Sequence, residues 1–118
     1  MNVEDIRVYC LNKKGVIECF PFDEDTLVFK VMGKMFLLVS ISDPTCSINV
    51  KCDPDRAIQL REQYEDVQPG YHMNKKMWNS VTYTGAFSKQ QFYEMIDHSY
   101  DEVVKGLTRK DRLALNDL

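Results

Sequence analysis

From Val16 to Cys52 the apolar residues follow the two-residue period of extended chain, and a glycine-led dipeptide, Gly33-Lys34, separates two of the strongest apolar runs. Strands joined by so short a loop must run antiparallel, so this stretch commits the chain to an antiparallel sheet with an apolar face to cover. Leu27 to Met32 and Met35 to Ile41 are the predicted hairpin arms, and glycine at the first loop position suits a type II′ turn. Met35-Phe36-Leu37-Leu38-Val39 is apolar at successive positions, which predicts a central strand covered on both sides or held in an interface. Cys46, Ile48, Val50 and Cys52 alternate with Ser47, Asn49 and Lys51, which predicts one dry face and one wet face. Val16 to Phe22 reads as a further strand finishing at Pro21, a residue with no N–H for a ladder. Asp23-Glu24-Asp25 and Ser42-Asp43-Pro44-Thr45 are polar turns.

Helical patterns flank this block. Asn2 and Asp5 form a capping pair for a helix with Val3, Ile6, Cys10 and Leu11 on one side. Lys13-Lys14-Gly15 stops it, with Gly15 suited to a left-handed conformation. Asp53 as N-cap and Pro54 at the first helical position open a second helix, with Ala57, Leu60 and Tyr64 as its buried stripe. After Val67-Gln68, the Pro69-Gly70 turn leads through a loop into a strand from Trp78 to Thr84. Ser88 and Gln91 form a capping box, Phe87 staples against Phe92, and Phe92, Met95, Ile96, Ser99, Tyr100, Val103 and Leu107 form one long stripe. Gly106 ends that helix, and Thr108 opens a tail helix carrying Arg109, Lys110 and Arg112. The order α-β-β-β-β-α-β-α-α predicts an α+β sandwich, an antiparallel sheet of about five strands with helices packed on it.

A chain of 118 residues fits one domain, spanning residues 1–118. Its 15 Lys+Arg against 18 Asp+Glu give a net charge of −3, so the global field repels a polyanion and any nucleic-acid contact needs a local basic patch. No apolar run reaches membrane-spanning length and Met1-Asn2-Val3-Glu4-Asp5 lacks a secretion pattern, so the expected location is cytoplasmic, with no membrane partner. Cys10, Cys19, Cys46 and Cys52 show no C-x-x-C pairing and read as reduced core residues; neither a metal nor a cofactor is expected. A monomer is the favoured state.

The segment Pro69-Gly70-Tyr71-His72-Met73-Asn74-Lys75-Lys76-Met77-Trp78-Asn79-Ser80-Val81 concentrates the only Trp, one of two His and two adjacent Lys. In a nucleic-acid interface Lys75 and Lys76 would meet phosphates, Tyr71, His72 or Trp78 would stack on an unpaired base, and Asn74 and Asn79 would hydrogen-bond. A protein-interaction or chaperone-like module using the same loop and an exposed edge strand is the alternative. In the plainest reading Trp78 and Tyr71 merely anchor the loop and the lysines are solvated. His98, with Glu94, Asp101 and Glu102 at helical spacing, reads as part of a solvated charged face that raises its pKa slightly. Asp97-His98-Ser99 cannot form a hydrolytic triad, because consecutive helical side chains point about 100° apart. No catalytic constellation emerges, so the expectation is a protein that is not an enzyme.

The Pro69 to Lys76 stretch followed by Trp78-Asn79 resembles the signature of the MmcQ/YjbR family of small bacterial proteins. Phe20-Pro21-Phe22 leading to Leu27-Val28-Phe29-Lys30-Val31, Gly33-Lys34-Met35-Phe36, and His98-Ser99-Tyr100-Asp101 agree with the same family in the same order. The family usually carries a second His before the Trp, where this chain has Met77. The resemblance implies a frataxin-like or secretion-chaperone-like sandwich, also described as a double-wing module, and a DNA-binding role.

Overall fold

The computed structural model describes all 118 residues. Helix α1 (Val3–Leu11) is followed by strands β1 (Val16–Cys19), β2 (Thr26–Val31), β3 (Lys34–Ser40) and β4 (Ser47–Lys51), helix α2 (Pro54–Gln63), strands β5 (Val67–Pro69) and β6 (Trp78–Thr82), and helices α3 (Lys89–Lys105) and α4 (Arg109–Asn116). The strands form one six-stranded sheet in the order β1-β2-β3-β4-β6-β5, every pair antiparallel. The α+β architecture expected from the sequence is therefore present, with one strand more than expected. The extra strand is β5, whose Pro69 lies on the sheet edge, where a missing N–H costs no ladder bond. At the opposite edge β1 stops at Cys19 rather than running to Phe22.

The β2–β3 hairpin forms with a different turn. Val31 pairs with Lys34, so the loop residues are Met32 and Gly33, not Gly33 and Lys34. Both have positive φ, 50° and 79°, as a type I′ turn requires, whereas a type II′ turn needs it only at the first position. Further along, Phe29 pairs with Leu37 and Lys30 with Met35, which leaves Phe36 as the extra residue of a bulge. A bulge frees backbone groups inside the sheet, and here a hydroxyl supplies the missing partner. Ser99 of α3, fully buried, donates its Oγ–H to the Phe36 carbonyl and accepts the Lys51 N–H at 2.7 Å.

That contact seats α3 across β3 and β4. The helix starts as expected, with the Ser88–Gln91 capping box and the rings of Phe87 and Phe92 stacked at 6.3 Å and 10°. Leu27, Phe29, Val31, Leu37, Val39, Ile48, Val50 and Val81 face the helices and form the main core with Ile6, Cys10, Phe92, Ile96 and Val103. The other sheet face carries no helix. Val28, Leu38 and Trp78 form a small separate cluster there, flanked by Cys19, Met35 and Met73. Strand β3 is thus covered on both sides, by α3 on one and by Trp78 and Met73 on the other. Gly15 adopts φ +74° as expected, and a Cβ there would lie 2.6 Å from Leu115 Cδ1, so α4 docks against bare backbone.

Replacing Ser99 by Ala removes the partners of Phe36 C=O and Lys51 N–H together, and each orphaned buried group costs about 1–3 kcal/mol. Urea denaturation of Ser99→Ala is expected to show a lowered midpoint with an unchanged slope; an unchanged midpoint would mean that the hydroxyl carries no stability.

Candidate functional site

The loop between β5 and β6 lies over the helix-free face and is held from within. Gly70 donates its N–H to Trp78 O at 2.8 Å, and a Cβ on Gly70 would meet Trp78 Cβ at 2.7 Å, so the tight crossing requires glycine. The Lys75 ammonium donates to Gly70 O at 3.1 Å, and Asn74 Oδ1 accepts the Lys76 N–H at 2.9 Å. Arg61 of α2 reaches underneath. Its Nε donates to Asn79 Oδ1 at 2.7 Å, and its Nη2 donates to Trp78 O at 3.2 Å and to Lys75 O. A planar guanidinium can serve three acceptors at once, which an ammonium on a flexible stem cannot match in geometry.

The seven residues singled out in the sequence therefore take different places. Trp78 is 9% exposed and Asn79 is 1% exposed, so both secure the loop from below and offer no surface to a stacking or hydrogen-bonding partner. Asn74 and Lys75 shape the loop through the bonds just described. Tyr71, His72 and Lys76 point outward. The Tyr71 ring, 69% exposed, lies 4.0 Å from the His72 ring at 51°, and His72 holds φ 58°, an unfavourable backbone state for a side chain with a Cβ.

Tyr71, His72 and Met73 wall a cavity of about 640 Å³ on the open sheet face, closed on another side by Phe22. Cavities of about 300–1,000 Å³ are typical of small-molecule sites. Its floor is polar, made by Ser47 and Asn49 of β4, Ser80 of β6 and Ser40 of β3. These are the wet-face positions of the alternating pattern. Their convergence was hidden in the sequence because β6 pairs with β4 from far along the chain, Asn49 opposite Ser80, 31 residues apart. A hydrogen-bond relay orders the floor: Tyr71 N–H donates to Ser80 Oγ at 2.9 Å, and Ser80 donates onward to Asn49 Oδ1. Asn49 Nδ2 is then left without a protein acceptor. Ser47 Oγ accepts from Thr82 Oγ1 at 3.1 Å and keeps its own hydrogen available. At the rim Asp43 accepts from both the hydroxyl and the N–H of Thr45, which hold its carboxyl below the usual 3.8 and keep it ionised. No Lys or Arg lines the cavity.

Sheet order also settles where the other basic residues lie. Lys30 is opposite Met35 and Lys51 is opposite Trp78, so both share the open face with the loop. Lys34 pairs with Val31 on the helix side. Lys30, Lys51 and Lys76 take part in none of the ion pairs.

His98 differs from expectation. It is half-buried, and its Nε2 accepts the Asp53 N–H at 3.1 Å, directly beside the bond from Lys51 N–H to Ser99. Burial, followed by the nearby Arg56 charge, pushes its pKa below the ordinary 6.5 rather than above it. The carboxylates of Glu102, Asp53 and Asp101 oppose that shift without overcoming it. Two adjacent side chains of α3 thus clamp the junction between β4 and α2. Burial also drives the Cys52 thiol up to about 11 and that of Cys10 up to about 12, away from the thiolate form. In the acidic turn, Asp23 accepts the N–H groups of Asp25 and Thr26, and Asp25 accepts from Ser40 and Ser42, so these carboxylates hold the turn.

Two tests follow from this geometry. Arg61→Ala is expected to raise amide exchange across the loop and shift Trp78 emission to the red, with Arg61→Lys failing to restore either; native-like exchange in Arg61→Ala would show that the loop holds itself. For His98 the folded state disfavours the proton, so its contribution is intact above the ordinary 6.5 and declines as pH falls through the lowered folded value. The melting temperature should therefore fall between about pH 7 and pH 5, and His98→Gln should flatten that portion of the profile. An identical slope in the variant would assign the pH dependence to other groups.

A sequence model of the YjbR family matches residues 11–102, which span the whole sheet, the loop and the His98-Ser99 pair. The chain is 30% identical over 115 residues to the uncharacterized protein YjbR of Escherichia coli (strain K12), covering 98% of each chain. It is 38% identical over 94 residues to the uncharacterized protein YbdF of Escherichia coli O157:H7, covering 80% of this chain and 77% of that one. The crystal structure of Deinococcus radiodurans protein DR2400, a DUF419 domain, superposes with a TM-score of 0.91 at 36% identity, covering 98% of this chain and 88% of that chain. With the family model, the sequence relatives and the superposed fold in agreement, the chain belongs to the YjbR family.

Proposed function

We propose that the protein is a nucleic-acid-binding module that takes single strands, DNA among them, across the helix-free face of its sheet. The observation that carries this reading is the arrangement of that face: a cavity walled by Tyr71 and His72, with Lys51 on the same strand as the cavity-floor residue Asn49. Two residues of strand separate them by about 7 Å, roughly one nucleotide step. Lys30 extends the same face toward β1, and Lys76 stands on the loop beside it. In a chain of net charge −3, phosphate attraction has to come from such a local set.

In this reading the exposed rings of Tyr71 and His72 stack on bases, worth about 1–3 kcal/mol per base, while Lys30, Lys51 and Lys76 meet phosphates. Trp78, Asn79, Asn74 and Lys75 contribute by holding the loop. A duplex hides the faces and the Watson–Crick edges of its bases, so the single strand is the form that this surface suits.

A second reading, a protein-interaction module, draws on the β1 edge, where Ile17, Phe20 and Phe22 are 57%, 48% and 62% exposed. The two readings separate by salt. Anisotropy of a labelled single-stranded oligonucleotide should show binding at low salt that weakens as salt rises. In Lys30→Ala/Lys51→Ala/Lys76→Ala the slope of log K against log salt should become shallower by about 2, at roughly 0.7 per lost single-strand phosphate contact. Absence of binding at low salt, or an unchanged slope in the triple variant, would overturn the nucleic-acid reading.

A further inference from the structure

We infer that the cavity under Tyr71 is a subsite for an uncharged aromatic heterocycle, a nucleobase, and that phosphate is excluded from it. The inference rests on the nucleic-acid reading for the identity of the heterocycle and goes beyond it in dividing the labour on the open face.

Three features of the cavity select this ligand. Its charge is the first: no Lys or Arg lines it and the ionised Asp43 stands at its rim, so a phosphate entering would lose water and meet Asp43 with no ion pair to offset the repulsion. The second is its unspent hydrogen-bonding capacity. The relay from Tyr71 N–H through Ser80 to Asn49 Oδ1 fixes the Asn49 amide with its NH₂ free, and Ser47 keeps a free hydroxyl hydrogen. These groups are donors, and they call for a ligand edge carrying a ring carbonyl or ring nitrogen. The third is the apolar wall. Phe22, Leu38, Met73 and the Tyr71 ring offer flat or aliphatic surface to the faces of a planar ring, as in other sites where few polar groups orient a mostly apolar contact.

The subsite is also set before a ligand arrives. Tyr71 is held through its own N–H on Ser80, and the loop behind it through Arg61, so the wall and the floor share one hydrogen-bonded frame. Pre-ordering of this kind lowers the entropic cost of binding.

The experiment uses amide NMR of the full chain with three probes: an uncharged nucleoside, ribose and inorganic phosphate. The nucleoside is expected to shift the Asn49 side-chain amide and the backbone signals of Tyr71, Met73 and Ser80, with ribose and phosphate leaving them unmoved. Asn49→Asp keeps an acceptor for Ser80 but removes both donors, and should weaken the nucleoside response roughly tenfold or more. Alongside, a single-stranded oligonucleotide is compared with an abasic oligomer of the same length. Stronger binding of the intact oligomer, lost in Asn49→Asp, supports the subsite. Equal binding of both oligomers, with no nucleoside shifts, overturns the subsite while leaving phosphate-driven binding in place. Nucleoside shifts without binding of either oligomer would keep the subsite and overturn the single-strand reading.

Discussion

The Ser99 hydroxyl is the contact on which the architecture turns. A bulge at Phe36 would leave a carbonyl without a ladder partner in the middle of the sheet, and the end of β4 would leave the Lys51 N–H likewise. One side chain answers both, donating to the first and accepting from the second. Because it comes from α3, the helix cannot rotate or slide without exposing two buried polar groups at once. His98, one residue earlier, extends the constraint to the Asp53 N–H, and Asp53 in turn caps α2 through the Arg56 N–H. The position of Arg61 on α2, and through it the loop above the open face, thus descends from the same two residues of α3.

The sheet is asymmetric for a physical reason. Its helix side holds the large apolar core, whereas the far side is apolar only at its centre, where Val28 and Leu38 meet Trp78. Trp78 at the start of β6 and Met73 of the loop suffice to cover so small a patch, and a helix would have had to bury Ser40, Ser47, Asn49 and Ser80 as well. Burial of that polar row, with the Asn49 NH₂ and the Ser47 hydroxyl hydrogen still unpartnered, is costly. The open face is the consequence, and the cavity is the space between the polar rows and the loop that covers the apolar centre.

Charge on that face is segregated. The cavity end holds hydroxyls, an amide and Asp43, while Lys51 and Lys30 lie further along their strands toward the β2–β3 turn. A ligand with a neutral planar part and an anionic part would find each chemistry in a different place. The chain as a whole is acidic, so its basic residues act through position rather than number.

Local chemistry was legible in the sequence wherever neighbours in the chain decide it. The capping boxes at Asn2–Asp5 and Ser88–Gln91, the Asp53-Pro54 start, the left-handed Gly15 and the alternation of β4 all follow from interactions within a few residues. The hairpin was legible but its turn was not, since the bulge at Phe36 and the Val31–Lys34 register are properties of paired strands. Helical spacing alone makes His98 look solvated, because its acceptor role depends on Asp53 lying against α3. The same holds for the loop: its unusual composition marks it in the chain, yet only packing separates the buried Trp78 and Asn79 from the exposed Tyr71, His72 and Lys76. By itself the sequence determined the α+β class, the helix starts and the two faces of β4, because short-range periodicity and capping set them. Only the tertiary structure decided that Asn49 and Ser80 share one cavity and that Lys30 and Lys51 share its face, because strand order is set by long-range pairing that no local pattern encodes.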